Sequence, residues 1–236
     1  MTPEEKLELR RHAVATLPGL MNEWLDQLFG PPPSPDSEET PKQLTPAPEP
    51  TNQADIAPSS QPASRVIPWG QKVTPDFAAG VLWIEDQLGL KAEFLMTCMM
   101  FESGLNPKAK NPQSSATGLI QFMDATAKRL GTTTAALSQM DGVRQLSYVY
   151  KYFKEYADRG FKLDSWSLED TYMAILWPTG IGKPMDYHVF TGGTNAYKVN
   201  AGLDLDKDGF VTKREATERI RKLYSEGLKP SNATRI

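Results

Sequence analysis

From about residue 74 onward, apolar positions recur at three- and four-residue steps, a spacing that predicts helices. Thr74-Pro75-Asp76 reads as an N-cap followed by proline at the first helical position, opening a helix to Leu88 before Gly89. A second helix is predicted over Ala92–Ser103, with Gly104 as a left-handed stop. Short helices follow near 122–130 and 133–139. A longer one covers 142–157, with Val143, Leu146, Val149, Tyr150 and Phe153 as its stripe. Ser167-Leu168-Glu169-Asp170 resembles a capping box opening a helix to Leu176, which Pro178 ends. Strand-like alternation is almost absent, so the fold class expected is mostly α.

The amino-terminal third follows other rules. Leu17, Leu20, Met21, Trp24, Leu25 and Leu28 fall on one helix face, separated by Pro18-Gly19 from a charged first segment. Such a stripe either folds back on the main domain or docks on a partner protein, and the long linker after it favours docking. Residues 31–65 hold ten of the nineteen prolines and no aromatic residue. That stretch cannot bury enough apolar surface to offset its ordering entropy, and a disordered linker is expected. The expected organisation is a helical docking segment at 1–30, a linker at 31–66, a helical domain at 67–190 and a further segment at 191–230.

Composition narrows the function. The chain has 236 residues, a net charge of −3 and 39% hydrophobic residues, with mean hydropathy −0.46 and pI near 5.5. The acidic balance argues against nucleic acid as a partner. No run is apolar and long enough to span a membrane. Cys98 is the single cysteine, so no internal disulfide can form, and within an apolar run it packs as a small hydrophobe. The first residues, MTPEEKLELRRHA, carry both charge signs and no apolar signal core, so synthesis in the cytoplasm without a signal peptide is expected.

The chemistry concentrates in FLMTCMMFESGLNPKAKNPQSSATGLIQFM, residues 94–123. Glu102 follows Leu95, Cys98 and Met99 on the same side of its helix. A carboxyl there loses hydration, which raises its pKa above the ordinary value of about 4.3. A carboxylic acid kept protonated near neutral pH is what cleavage of a glycosidic bond requires. The plainer alternative is a surface glutamate at a helix end, or one paired with Lys108 or Lys110.

Glu102-Ser103-Gly104-Leu105-Asn106-Pro107, a polar loop over 108–115, and then Ala116-Thr117-Gly118-Leu119-Ile120-Gln121-Phe122-Met123 resemble the lytic transglycosylases. These are lysozyme-like enzymes that cut peptidoglycan, and the resemblance covers roughly 74–187. Ile120 stands where the family usually has Met. Gly182-Lys183-Pro184 after Trp177-Pro178 is similar to the variant in tailed-phage members. The resemblance implies Glu102 as the single acid and base. It implies Ser103 as a residue that holds substrate or steadies Glu102, Gly118 as a position where glycan approaches the backbone, and Gln121 as a sugar contact or loop support.

The family's third motif, Ala-Tyr-Asn, has its nearest match in Ala174-Ile175-Leu176, which lacks both Tyr and Asn. Tyr172 and Tyr187 are candidates to replace those contacts, and are equally readable as core tyrosines. The reaction implied cleaves the bond between N-acetylmuramic acid and N-acetylglucosamine and closes a 1,6-anhydro ring without water. A hydrolysing muramidase on the same fold would need a second carboxylate, for which Asp124 and Asp170 are the candidates. A non-catalytic wall-binding virion protein is a third possibility. With the docking segment and linker, the resemblance implies a virion-associated enzyme acting on the cell wall, attached to a tail protein through the amino-terminal helix.

A second motif is independent of the first. Asp204, Asp206, Asp208, Gly209, Phe210, Thr212 and Glu215 fall in the register of a twelve-residue EF-hand loop. Three carboxylates, the Phe210 carbonyl, Thr212 directly or through water, and a two-oxygen Glu215 would hold one structural Ca2+. The alternative is an acidic Asp-Gly turn between helices. Residues 194–203 are the expected entering helix, and Ala216, Ile220, Leu223 and Tyr224 the exiting stripe. A single loop argues for a staple rather than a calcium switch, and no organic cofactor is expected.

Overall fold

The structure, a computed structural model, describes residues 65–236. The 1–30 segment and the 31–66 linker up to residue 64 lie outside the described residues. The last two linker positions are ordered by pairing. Arg65 exchanges backbone hydrogen bonds with Ile236 at 2.8 and 2.9 Å, and Val66 begins β1 (Val66–Ile67). That strand runs antiparallel to β4 (Thr234–Arg235), so the start and end of the described chain are joined. Neither two-residue strand is long enough to display alternation in the sequence.

Between these strands the described chain is mostly helical. The helices are α1 (Pro75–Leu88), α2 (Ala92–Ser103), α3 (Asp124–Arg129), α4 (Thr134–Leu137), α5 (Gly142–Asp158), α6 (Leu168–Leu176), α7 (Asn195–Asn200) and α8 (Lys213–Gly227). Several starts are those the sequence predicts. Thr74 accepts from Phe77 N at α1, and Ser167 and Asp170 form a capping box at α6. In α5 the buried stripe is Gln145, Leu146, Val149, Tyr152, Phe153 and Tyr156. Val143, expected on that face, is 45% exposed because it lies on an adjoining one.

The helix that carries Glu102 in its last turn, α2, is the centre of the described domain. In α2 every residue from Phe94 to Met99 is buried. Leu95, Met96 and Met99 join one apolar cluster with Val81, Ile84, Val149 and Phe153 of α1 and α5. Phe94 and Cys98 join a second, with Tyr172 and Met173 of α6 and Ala216 and Ile220 of α8. A helix apolar all round is one that is covered all round. Its last turn, holding Phe101 and Glu102, is where it comes out of the core and becomes half-buried.

The second sheet pairs β2 (His188–Thr191) with β3 (Phe210–Thr212), antiparallel, with a register shift between His188 and Phe190. These strands fix the loop 204–215 to the body of the domain.

Candidate active site

Gly104 ends α2 with φ +64°, its N–H donating to Met100 O at 2.9 Å. The turn leaves Glu102 half-buried where the two apolar clusters meet. Its carboxylate lies within electrostatic reach of three core groups. Burial first, and Glu102 second, push the Cys98 thiol well above its ordinary range. The Tyr172 phenol is raised well above its ordinary value by burial, then by Glu102 and Cys98. Burial is the main cause of a rise at Tyr152, to which Glu102 also contributes. Tyr172 meets Phe101 edge-on, ring centroids 5.2 Å apart. A carboxyl at this position is partly exposed and lies near a buried thiol and two buried phenols.

Ser103 is 2% exposed. Its Oγ lies 2.9 Å from Met99 O and 3.0 Å from Leu119 O. The hydroxyl is thus bound to backbone, and Ser103 braces the end of α2 against the following segment.

Gly118 has φ +81°, and a Cβ there would fall 2.4 Å from Gln145 Oε1. A side chain is therefore excluded by the protein interior, and Gly118 is itself buried. The interior thus requires a glycine here by itself, beside the expected approach of glycan to this backbone. Gln121 also adopts a left-handed backbone, φ +55°. Its Nε2 donates to Gly118 O at 2.9 Å and to Ala109 O at 3.4 Å, so of its two expected roles the loop support is present.

Gln145 is a buried polar residue beside this segment that the sequence did not single out. It is wholly buried in α5. Its Oε1 accepts from Leu119 N at 3.0 Å, and its Nε2 donates to Pro107 O at 2.6 Å and Leu137 O at 2.7 Å. The available signal was a polar residue inside an apolar stripe, between the wholly or largely buried Leu146 and the loop it faces.

Tyr172 is 1% exposed, a core residue whose approach to Glu102 comes through its ring and phenol. Tyr187 is half-buried, with the Lys183 ammonium 5.8 Å from its ring centre. The third-motif stand-in has a different use: Ala174 O accepts from Tyr152 at 2.6 Å and from Tyr156 at 2.8 Å.

The two carboxylates considered for a hydrolase are both engaged. Asp124 is exposed and accepts from Thr134 Oγ1. Asp170 Oδ1 accepts from Lys213 Nζ at 2.6 Å and Gly182 N at 2.8 Å. Burial alone would raise the Asp170 carboxyl, but the Lys213 ammonium and the backbone donors hold it below the ordinary range.

In the loop before α8, Asp204, Asp206 and Asp208 bring carboxylate oxygens within 4.8 Å of one another. Asp204 accepts from Tyr197 Oη, Lys207 N and Gly209 N. Glu215 accepts from Leu205 N with one oxygen and caps Thr212 with the other. Gly209 turns the loop with φ +90°. Phe210 stacks on His188, ring centroids 4.3 Å apart, and α7 with the turn Ala201–Leu203 forms the entering side. The donor set, oxygens only and rich in carboxylate, suits a hard cation such as calcium.

Residues 83–163 match the family model of the transglycosylase SLT domain. The match spans Glu102, Ser103, Gly118, Gln121 and Gln145, and stops before Tyr172, Tyr187 and the acidic loop. No curated protein matches the chain.

Proposed function

We propose that this protein is a lytic transglycosylase that cleaves the β-1,4 bond between N-acetylmuramic acid and N-acetylglucosamine in peptidoglycan. The observation that carries the reading is the position of Glu102. It is half-buried at the last turn of a core helix, inside the segment that matches a transglycosylase domain.

Glu102, protonated, gives its proton to the glycosidic oxygen as the bond to C1 of muramic acid breaks. The substrate's own acetamido oxygen meets the developing charge at C1. The Glu102 carboxylate then takes the proton from the 6-hydroxyl, and O6 bonds to C1 as the acetamido group leaves. The result is a 1,6-anhydro end, with Glu102 protonated again and no water consumed. One carboxyl suffices for both proton transfers. The engagement of Asp170 with Lys213 and Gly182 supports this over an inverting hydrolase, which needs a second carboxylate free to activate water.

Two further proposals complete the reading. The loop holds one structural calcium through Asp204, Asp206, Asp208, the Phe210 carbonyl, Thr212 and Glu215. The ion would add a strong cross-link between β3, α8 and the turn before them. The amphipathic stripe at 17–28 and the proline-rich stretch after it suit an enzyme tethered to a larger particle, a phage virion, that delivers it to the wall.

Digestion of purified peptidoglycan followed by mass spectrometry tests the chemistry. Anhydro-ended muropeptides are expected. Reducing ends in their place would make the protein a muramidase, and undigested glycan would leave it a binding protein.

A further inference from the structure

We propose that Gln145 is a positioning residue for this reaction, setting the place of Glu102 against the Gly118–Leu119 segment. The inference rests on the transglycosylase reading and adds a residue outside its acid–base chemistry.

Leu119 is held from both sides. Its N–H is taken by Gln145 Oε1 at 3.0 Å, and its carbonyl lies 3.0 Å from Ser103 Oγ. Ser103 is the next residue after Glu102 on α2. A side chain from α5 and a side chain from the end of α2 thus grip the same residue. Through Ser103, the residue next to Glu102, the position of Leu119 is tied to the end of α2.

Gln145 does this while tying down two other segments, through Pro107 O and Leu137 O. A wholly buried amide is costly unless its bonds are made. Here one acceptor and both donors are used. No other side chain of this size makes all three bonds. Glutamate offers no donor when ionised, methionine offers none at all, and asparagine is one methylene short. Gly118 leaves the space that the amide fills, since a Cβ there would sit 2.4 Å from Oε1. The arrangement spends a glycine and a buried amide to fix one backbone segment. Geometry near the reacting bond is worth that, because a displacement of about 1 Å can cost about 100-fold in rate.

The test uses the full chain with Gln145→Met, Gln145→Glu and Glu102→Gln. Turnover of solubilised glycan strands is measured where near-ultraviolet circular dichroism shows each variant folded. Gln145→Met is expected to lower kcat at least tenfold with KM within about threefold. Gln145→Glu keeps the shape, and as a neutral acid keeps the acceptor and one donor. Ionised, it faces the Pro107 and Leu137 carbonyls. Its kcat relative to wild type is therefore expected to fall as pH rises, a dependence a merely structural role would not give to folded enzyme.

Folded Gln145→Met with kcat within twofold of wild type overturns the inference. Where Gln145→Met does not fold, a flat kcat ratio for Gln145→Glu across pH overturns it. Wild type and Glu102→Gln separate the two levels. An active wild type and an inactive Glu102→Gln, with Gln145 variants at wild-type kcat, remove only the positioning role. An inactive wild type overturns both.

Discussion

Lys213 Nζ lies 2.6 Å from Asp170 Oδ1, and the lysine side chain is 3% exposed. The pair joins the first residue of α8 to the capping box of α6. Lys213 Nζ also donates to Lys183 O at 3.0 Å, and Asp170 Oδ1 accepts from Gly182 N in the same stretch. Removing the lysine leaves a carboxylate that is only partly exposed and has Gly182 and Ser167 as its remaining donors, and breaking a buried pair typically costs about 3–5 kcal/mol. Lys213→Met is expected to destabilise the fold by an amount near that range, measured by urea unfolding. A loss below about 1 kcal/mol would mean the carboxylate finds water or another donor.

The same pair gives a pH dependence. The folded Asp170 carboxyl lies below its unfolded value of about 3.9. Its contribution is therefore complete above that unfolded value and is lost as pH falls through the lower folded one. Asp170→Asn is expected to flatten the acid side of the stability curve relative to wild type, read from thermal midpoints between about pH 2 and 5.

Glu102→Gln is expected to lower glycan cleavage by about 100- to 10,000-fold or more while thermal unfolding stays near wild type. The amide has the same shape but can neither give nor take the proton. Turbidity clearance of cell walls near the wild-type rate would remove Glu102 from the chemistry.

Gly118→Ala should be costly for two reasons that add. Alanine at φ +81° is strained by about 1–3 kcal/mol, and its methyl displaces the Gln145 amide. A lower denaturation midpoint together with weaker cleavage is expected. A well-folded variant of unchanged stability would show that the amide can move aside without loss.

Calcium is expected to raise the thermal midpoint, since a ligand bound only by the folded state stabilises it by about 2.7 kcal/mol at a hundredfold excess over Kd. Asp206 and Asp208 are exposed, so Asp206→Ala and Asp208→Ala should remove the rise with little cost in chelator. Glu215→Ala should cost stability even without calcium, because the carboxylate that accepts from Thr212 N and Leu205 N is lost while the Thr212 hydroxyl cap on the backbone N–H of residue 215 remains. An unchanged midpoint on adding calcium to wild type would leave the loop as an acidic turn.

Much of the site was legible in the chain because its signals are local. Thr74, Ser167 and Gly104 act on backbone groups a few residues away, so caps and stops could be read directly. Glu102 stood out as a carboxyl following a run that is apolar but for Thr97, and the acidic loop as oxygens in fixed register. The α5 stripe was placed one face away at Val143 because periodicity gives a repeat, and the neighbouring helices choose which side of it is covered.

What the sequence alone determined was therefore the helical class, most helix boundaries, the position of Glu102 and the spacing of the acidic loop. Tertiary structure decided what those residues touch. It turned Ser103 inward to Leu119 O, set Gly118 against Gln145, and drew Asp170 away from solvent to Lys213, 43 positions further along. Lys213 gave one hint, a cation in the first turn of a helix where the dipole disfavours it, but not its partner. Contacts between distant segments depend on how helices pack, and nothing in local spacing encodes which buried donor will meet which acceptor. The pairing of β1 with β4, which brings Val66 against Arg235, has the same cause.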